Sequence, residues 1–140
     1  MGNRLSGGAM LYNREHLWMQ AQGDGTVAVG VTAYGVGEMG ELCMVEFPVT
    51  GRWMKQGECF LTLESVKTCV ELHLPFCGTC VESGVQGGYS VIEQDAEGTA
   101  LAVFRPDFTE TAERISGKKF NDAELMTAEE YKAWVDGGCL

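Results

Sequence analysis

The residues best suited to chemistry form one short run, Glu64-Ser65-Val66-Lys67-Thr68, in a chain of 140 residues. Runs that favour strands flank it, Phe60 to Leu63 before and Val70 to Leu74 after. So short a link between two strands reads as a hairpin turn, with Lys67 at an exposed tip. An amine held there can be modified covalently. A modifying enzyme reaches it from several sides, and a rigid β scaffold fixes the tip while an attached arm moves. By position alone, Lys67 also fits an ordinary solvated lysine.

The other reactive side chains are less pointed. There are six cysteines, and with no secretory leader ahead of them they read as reduced thiols rather than a disulfide framework. Cys77-Gly78-Thr79-Cys80 is spaced like a redox pair or half a zinc site. No second pair follows at zinc-ribbon spacing, and His16 and His73 lie at unrelated spacings, so a metal centre is not expected. Cys77 and Cys80 read as small core or turn residues.

Twenty acidic residues against ten basic ones give a field that repels phosphate backbones and anionic lipid, so neither nucleic acid nor a membrane is an expected partner. Such a surface suits basic patches on other proteins, or simply keeps the chain solvated. No run of about 18 apolar residues is present to span a bilayer. The expected protein is soluble and intracellular.

The elements that must position the lysine are mostly strands. Short β-prone runs separated by turn signals extend from Trp18 to Phe104, the pattern of a small sandwich or barrel. Val27, Val29 and Val31 alternate with Ala28, Gly30 and Thr32, giving one apolar face and one small or polar face. Leu42 to Phe47 forms another run, stopped by Pro48, and a last one runs from Ala100 to Phe104, ended by Pro106. Thr32 to Gly40 predicts a short helical turn. Thr127-Ala128-Glu129-Glu130 resembles a capping box, and Tyr131, Trp134 and Val135 follow at helical spacing. Residues 83–99 read as the longest irregular connection. Residues 1–10 carry little apolar material and read as a flexible tail ahead of one domain, 11–140. Their opening matches the M-G-x-x-x-[ST] pattern for acylation of Gly2, for which a cloning remnant or alternative start is the simpler reading.

The turn and its surroundings resemble the lipoyl-attachment signature of the glycine-cleavage H-protein family, E-S-V-K-[AST] after a G-[ED]-x-x-x-x-x-x-P-x-x-G approach. Here Gly40-Glu41, Pro48 and Gly51 stand in the approach, and Glu64 to Thr68 complete the signature. Tyr12, His16 and Trp18 are similar to the family's Y-x-x-x-H-E-W, and Gly30-Val31-Thr32 to its G-[IV]-[TS]. Leu74-Pro75 with Gly78 is similar to S-P-x-x-G, and Leu125 to Tyr131 to the terminal L-M-[ST]-x-E-x-Y. The matches fall in family order over roughly residues 11 to 135. Biotin carriers would place methionine on both sides of the lysine, and 2-oxo-acid dehydrogenase lipoyl domains usually place Asp before it. Val66 and Thr68 fit neither.

Two regions depart from the family pattern. Leu17 stands where H-E-W has the glutamate that, in the family, lines the cleft receiving the loaded arm. Glu15, Glu38 or Glu71, the last four residues after the lysine, are candidates to supply a carboxylate there. The family's N-x-x-L-x-x-x-P-x-L-V-N-x-x-x-x-x-G-W region is replaced by a shorter linker, Ser83 to Thr99.

The resemblance implies a mainly β, lipoyl/biotinyl-type flattened barrel, or barrel-sandwich hybrid, with a short helix in the N-terminal half and a C-terminal helix. It implies lipoic acid on Lys67, with Glu64, Ser65, Val66 and Thr68 forming the attachment turn, and no catalytic residue in the chain itself. The carrier would shuttle the aminomethyl group of glycine on a swinging arm. The partners implied are a pyridoxal-phosphate glycine decarboxylase, a folate-dependent aminomethyltransferase, dihydrolipoyl dehydrogenase, and a lipoate ligase or transferase. The compartment implied is the cytoplasm of a prokaryote or the mitochondrial matrix of a eukaryote. Leu17 and the altered linker keep open an H-like paralogue serving lipoate relay or sulfur or redox metabolism. An unmodified interaction module that kept the fold is a third alternative.

Overall fold

The structure, a computed structural model, describes residues 4–140, apart from the side chain of Ser6. The Gly2 acylation pattern therefore begins outside the described residues.

Among the described residues nine strands form two antiparallel sheets. The larger has the order β1 (Leu11–Tyr12), β2 (Leu17–Ala21), β3 (Val27–Val31), β9 (Ala102–Pro106), β8 (Gly78–Ser83), β5 (Trp53–Met54). The smaller has the order β4 (Leu42–Glu46), β6 (Cys59–Ser65), β7 (Cys69–His73). Four short helices punctuate them: α1 (Ala33–Met39), α2 (Ser90–Gln94), α3 (Glu110–Ser116) and α4 (Ala128–Asp136). The chain is mainly β, with a short helix in its N-terminal half and a helix at its C-terminus, as expected.

The main core lies between the sheets. Met19, Val29 and Phe104 from the larger sheet meet Leu61, Leu63 and Leu72 from the smaller, each nearly or fully buried. Phe104 receives the edges of Phe60 and Phe76 at centroid distances of 5.7 and 6.1 Å, the tilted geometry that aromatic quadrupoles favour. Each such side chain taken fully from water stabilises the fold by about 1.5–3 kcal/mol before chain entropy is counted.

A second apolar cluster covers the opposite face of the larger sheet. Tyr12, Trp18, Ala28, Val103, Met126 and Tyr131 build it, with Trp134 and Val135 of α4 packed against them. Every residue of β3 is consequently buried, which explains its small alternate positions. The indole of Trp18 lies on Gly30, where an added Cβ would come within 2.5 Å of the ring. Gly30 is what the close approach of the indole requires. The indole N–H donates to the Ala96 carbonyl at 3.0 Å, tying the 83–99 connection to this face.

Several expectations need correction. Residues 83–99 are not wholly irregular: α2 lies within them and drives Ile92 into the core at 0% exposure. Leu5, in the segment read as a tail, is 2% exposed and belongs to the main core, because a 3-10 turn at Arg4–Gly7 packs it beside β2. By contrast, Cys77 and Cys80 are buried, as their reading as small core or turn residues allows, Cys80 within β8. Sequence periodicity did not reveal β1, β5, β8 or α3; the first and second are two residues each, too short to carry a period. The predicted capping box is present: the Thr127 hydroxyl accepts from the Glu130 N–H, and the Glu130 carboxylate accepts from the Thr127 N–H.

Candidate functional site

Strands β6 and β7 pair as a hairpin, with Leu63 opposite Val70 and Glu64 opposite Cys69. Ser65 organises the turn between them. Its N–H donates to the Thr68 carbonyl at 2.8 Å, and its hydroxyl accepts from the Lys67 and Thr68 N–H groups at 3.3 and 3.2 Å. With its backbone so engaged, the loop turns Val66 and Lys67 outward, and Val66 is 90% exposed. The Lys67 amine is thus presented on a fixed backbone by a tip that buries almost nothing.

Alternation along β7 divides the surroundings. Val70 and Leu72 face inward, whereas Cys69 and Glu71 are exposed on the outer face, in cross-strand rows with Glu64 and Thr62. Burial, together with Glu64, Glu71 and Glu46, pushes the Cys69 thiol above its ordinary value, so it is held in the thiol form.

Beside the tip lies a groove of about 390 Å³. Leu63, Val70 and Leu72 of the hairpin form one wall, and Tyr34, Glu38 and Met39 of α1 form another. Glu15 and His16 stand at a third side, Cys139 contributes from the C-terminus, and Thr68, next to Lys67, stands at the rim. A largely apolar groove whose rim residue Thr68 adjoins Lys67 in the chain fits a long apolar arm attached to that lysine. Among the described residues no cluster of His, Cys, Asp and Glu could hold a metal ion.

The groove depends on a tightly folded corner. The Asn13 side chain accepts from the Glu15 and Leu17 N–H groups at 3.0 and 3.1 Å, and His16 takes a left-handed conformation, φ 65°. Helix α1 is capped by the Thr32 hydroxyl, which accepts from the Gly35 N–H at 3.1 Å. A Cβ on Gly35 would come within 2.8 Å of His16 Cβ, so glycine lets the helix sit on the imidazole. Tyr131 of α4 locks the corner, its hydroxyl hydrogen-bonded at 2.7 Å to both His16 Nδ1 and the buried Thr32 hydroxyl. The His16 ring also lies 5.0 Å from Tyr34 and 5.3 Å from Trp134. Burial lowers the His16 pKa below its ordinary value, with Glu38 opposing, which favours the neutral ring.

Of the four cleft candidates, the structure brings two together. Glu15 and Glu38 line the groove. Both Glu15 oxygens are occupied, one accepting from the His73 N–H at 2.8 Å and the other paired with His73 Nδ1 at 2.7 Å. Glu38 Oε1 accepts from the Tyr34 hydroxyl at 3.1 Å. Leu17 is not a groove residue: it is 0% exposed and belongs to the main core with Met19, because alternation along β2 turns it inward. Glu71 is not one either, since alternation along β7 turns it outward.

Cys77 and Cys80 are both buried, at 3% and 0% exposure. Cys77 Sγ accepts from the Gln56 N–H and contacts the Ala112 carbonyl, whereas Cys80 Sγ contacts the Glu82 carbonyl. Sequence reasoning missed Tyr34, Tyr131 and Cys139. Tyr131 and Thr32 are separated by 99 residues, and no local pattern announces such a contact. A second hollow of about 400 Å³ lies across the Glu15–His73 pair, walled by polar groups including Gln56, Lys118 and Asn121, and the hairpin tip contributes nothing to it.

Known proteins with the same pattern extend along nearly the whole chain. The profile of a family described as glycine cleavage H-protein matches residues 10–136. A probable glycine cleavage system H protein of Pyrococcus abyssi is 35% identical over 128 residues, covering 90% of this chain and 89% of that protein. The glycine cleavage system H protein of Staphylococcus carnosus is 44% identical over 127 residues, covering 89% and 92%. In three dimensions, the crystal structure of a glycine cleavage system H protein from Mycobacterium marinum superposes with a TM-score of 0.72. It is 29% identical and the match covers 94% of this chain and 98% of that one.

Proposed function

This chain belongs to the glycine cleavage H-protein family, a lipoylated aminomethyl carrier with that family's lipoyl/biotinyl-type fold, and we propose that Lys67 anchors its arm. The role is that of a non-catalytic carrier component. Family membership brings a lipoyl group on a lysine and dealings with the other glycine cleavage components. The observation that carries the Lys67 assignment is its place at an exposed, internally bonded hairpin tip beside a groove that Thr68 lines. Glu64, Ser65, Val66 and Thr68 complete the attachment turn.

When bound, the lipoyl group supplies a disulfide that accepts and yields the carried group, while the protein supplies tether and shelter. Leu63, Val70 and Leu72 would exclude water from the aliphatic part of the arm. Glu38 is the carboxylate best placed to meet a cationic amine on a docked arm, because Glu15 is already committed to His73. Three enzymes are the proposed catalysts: the pyridoxal-phosphate decarboxylase, the folate-dependent aminomethyltransferase and dihydrolipoyl dehydrogenase. A lipoate ligase or transferase would install the arm. The chain acts as one carrier domain whose core takes in Leu5 as well as residues 11–140, in the cytoplasm of a prokaryote or the mitochondrial matrix of a eukaryote. Among the described residues no helix is long and apolar enough to cross a membrane.

A second reading, lipoate relay or sulfur or redox metabolism, is favoured by Leu17, which puts a buried leucine where the family pattern has a carboxylate. The test begins with expression beside a lipoate ligase, intact mass and peptide mapping. Lys67 is expected to be the only modified lysine, and Lys67→Arg to abolish modification. A lipoyl group on Lys55, or on the Lys67→Arg protein, overturns the assignment. Lipoylated protein that supports glycine-bicarbonate exchange with a cognate decarboxylase favours glycine cleavage; lipoylated but inert protein favours the relay.

A further inference from the structure

Six cysteines are present, and they differ sharply in what they face. Cys77 and Cys80 are sealed in the core. Cys59 makes its contacts along its own strand, with the Leu61 carbonyl and the Thr62 hydroxyl. Cys43 and Cys69 are exposed, and Cys69 is turned outward between Thr68 and Val70, both of which line the groove. Cys139 is different, because it stands in the groove wall together with Tyr34, Glu38 and His16.

Its position is fixed by the end of α4. The Gly137 N–H donates to the Ala133 carbonyl, the Gly138 N–H to the Val135 carbonyl and the Cys139 N–H to the Trp134 carbonyl, at 2.9–3.0 Å. Cys139 itself takes a left-handed conformation, φ 62°, unusual for a residue with a Cβ. Helix α4 is in turn held to the corner by Tyr131. Tyr34 lines the same groove, and its hydroxyl, which donates to Glu38 at 3.1 Å, is pushed up to about 12 by Cys139 and Glu38. It therefore stays a proton donor beside the thiol, in a cavity shared with the rim of the attachment turn.

We propose that Cys139 is a second, reversible anchorage for the arm, capturing the oxidised lipoyl disulfide within the groove. The proposal rests on Lys67 carrying that group. Cys139, as the thiolate, attacks one ring sulfur. The ring S–S bond breaks, a bond from Cys139 Sγ to that sulfur forms, and the other ring sulfur leaves as a thiolate that takes up the proton Cys139 gave up. One disulfide replaces another, so no external oxidant or reductant is needed. Attachment at Lys67 makes the exchange intramolecular, which raises the effective concentration of each sulfur for the other. The arm is then parked by a bond that the freed sulfur can reverse, and while parked it cannot visit a partner.

The experiment uses oxidised, lipoylated full-length protein, quenched in acid, alkylated under denaturing conditions and digested without reductant. The expected result is a Lys67 peptide joined through its lipoyl group to the Cys139 peptide, separated by reduction and absent from Cys139→Ser. Cys69→Ser should retain the cross-link. Lipoyl on Lys67 with Cys139 fully alkylated overturns the anchorage and leaves the carrier assignment intact, as does a cross-link to Cys69 or Cys43 instead. Absence of lipoyl from Lys67 overturns the carrier assignment, and the anchorage with it.

Discussion

At the hairpin tip four consecutive residues hold one another, Ser65 bonding to Lys67 and Thr68 and burying almost nothing. The neighbouring groove instead draws its walls from residues between Glu15 and Cys139, and its corner is closed by one tyrosine reaching across 99 and 115 positions. The tip has backbone order without tertiary packing; the groove depends on tertiary packing that joins locally ordered pieces distant in the chain. A site that must be approached from many directions is served by the first arrangement, and one that must exclude water by the second. Energetically, the tip can change at little cost to the fold, whereas the groove shares its supports with the cluster around Tyr12 and Trp18.

That contrast can be broken most directly at Tyr131. Tyr131→Phe keeps the ring stacked on Tyr12 at 4.6 Å but removes one hydrogen bond from His16 Nδ1 and one from the fully buried Thr32 hydroxyl, which keeps only the Gly35 N–H. The expected loss is about 1–3 kcal/mol, read as a lower urea midpoint. Unchanged stability would mean that the corner does not depend on this hydroxyl.

Ser65→Ala probes the tip. The expected cost is about 0.5–1.5 kcal/mol, since only solvated turn contacts are lost. Lipoylation by a ligase should slow, because Lys67 is no longer held by the loop. A stability cost exceeding that of Tyr131→Phe would erase the distinction between the two regions.

The smallest effect concerns pH. Burial lowers the His16 pKa in the folded protein, so as pH falls below about 6.5 the unfolded chain takes up the proton first. The stability held by the neutral ring is complete above that pH and declines as pH falls through the folded value. His16→Asn, which tolerates the left-handed conformation, should flatten this part of a stability-pH curve relative to the wild type. Parallel curves would show that His16 does not titrate differently on folding.

The same contrast governs what could be read in the sequence. The hairpin, the capping box at Thr127 and the alternation of β3 are short-range patterns, and they were legible because each is decided within a few residues. Leu17 and Glu71 were candidates on sequence grounds, but their facing is set by alternation within β2 and β7. Leu17 thereby enters the core and Glu71 the outer face. Tyr131 and Cys139 were beyond reach, since their role depends on where α4 docks after the sheets have formed. The small alternate positions of β3 were visible, but the indole that requires Gly30 was not.

One contact has a bearing on self-association. Among the described strands β7 pairs only with β6, so its other side is a sheet edge, the kind of surface on which a strand from another molecule can add. Glu15 takes up the His73 N–H on that strand and brings a negative charge to it, while Glu71 adds another nearby. A strand approaching to extend the sheet would have to displace the first carboxylate and meet the charge of the second. The glutamate that stands at the groove therefore also covers a backbone donor on the open edge of the hairpin.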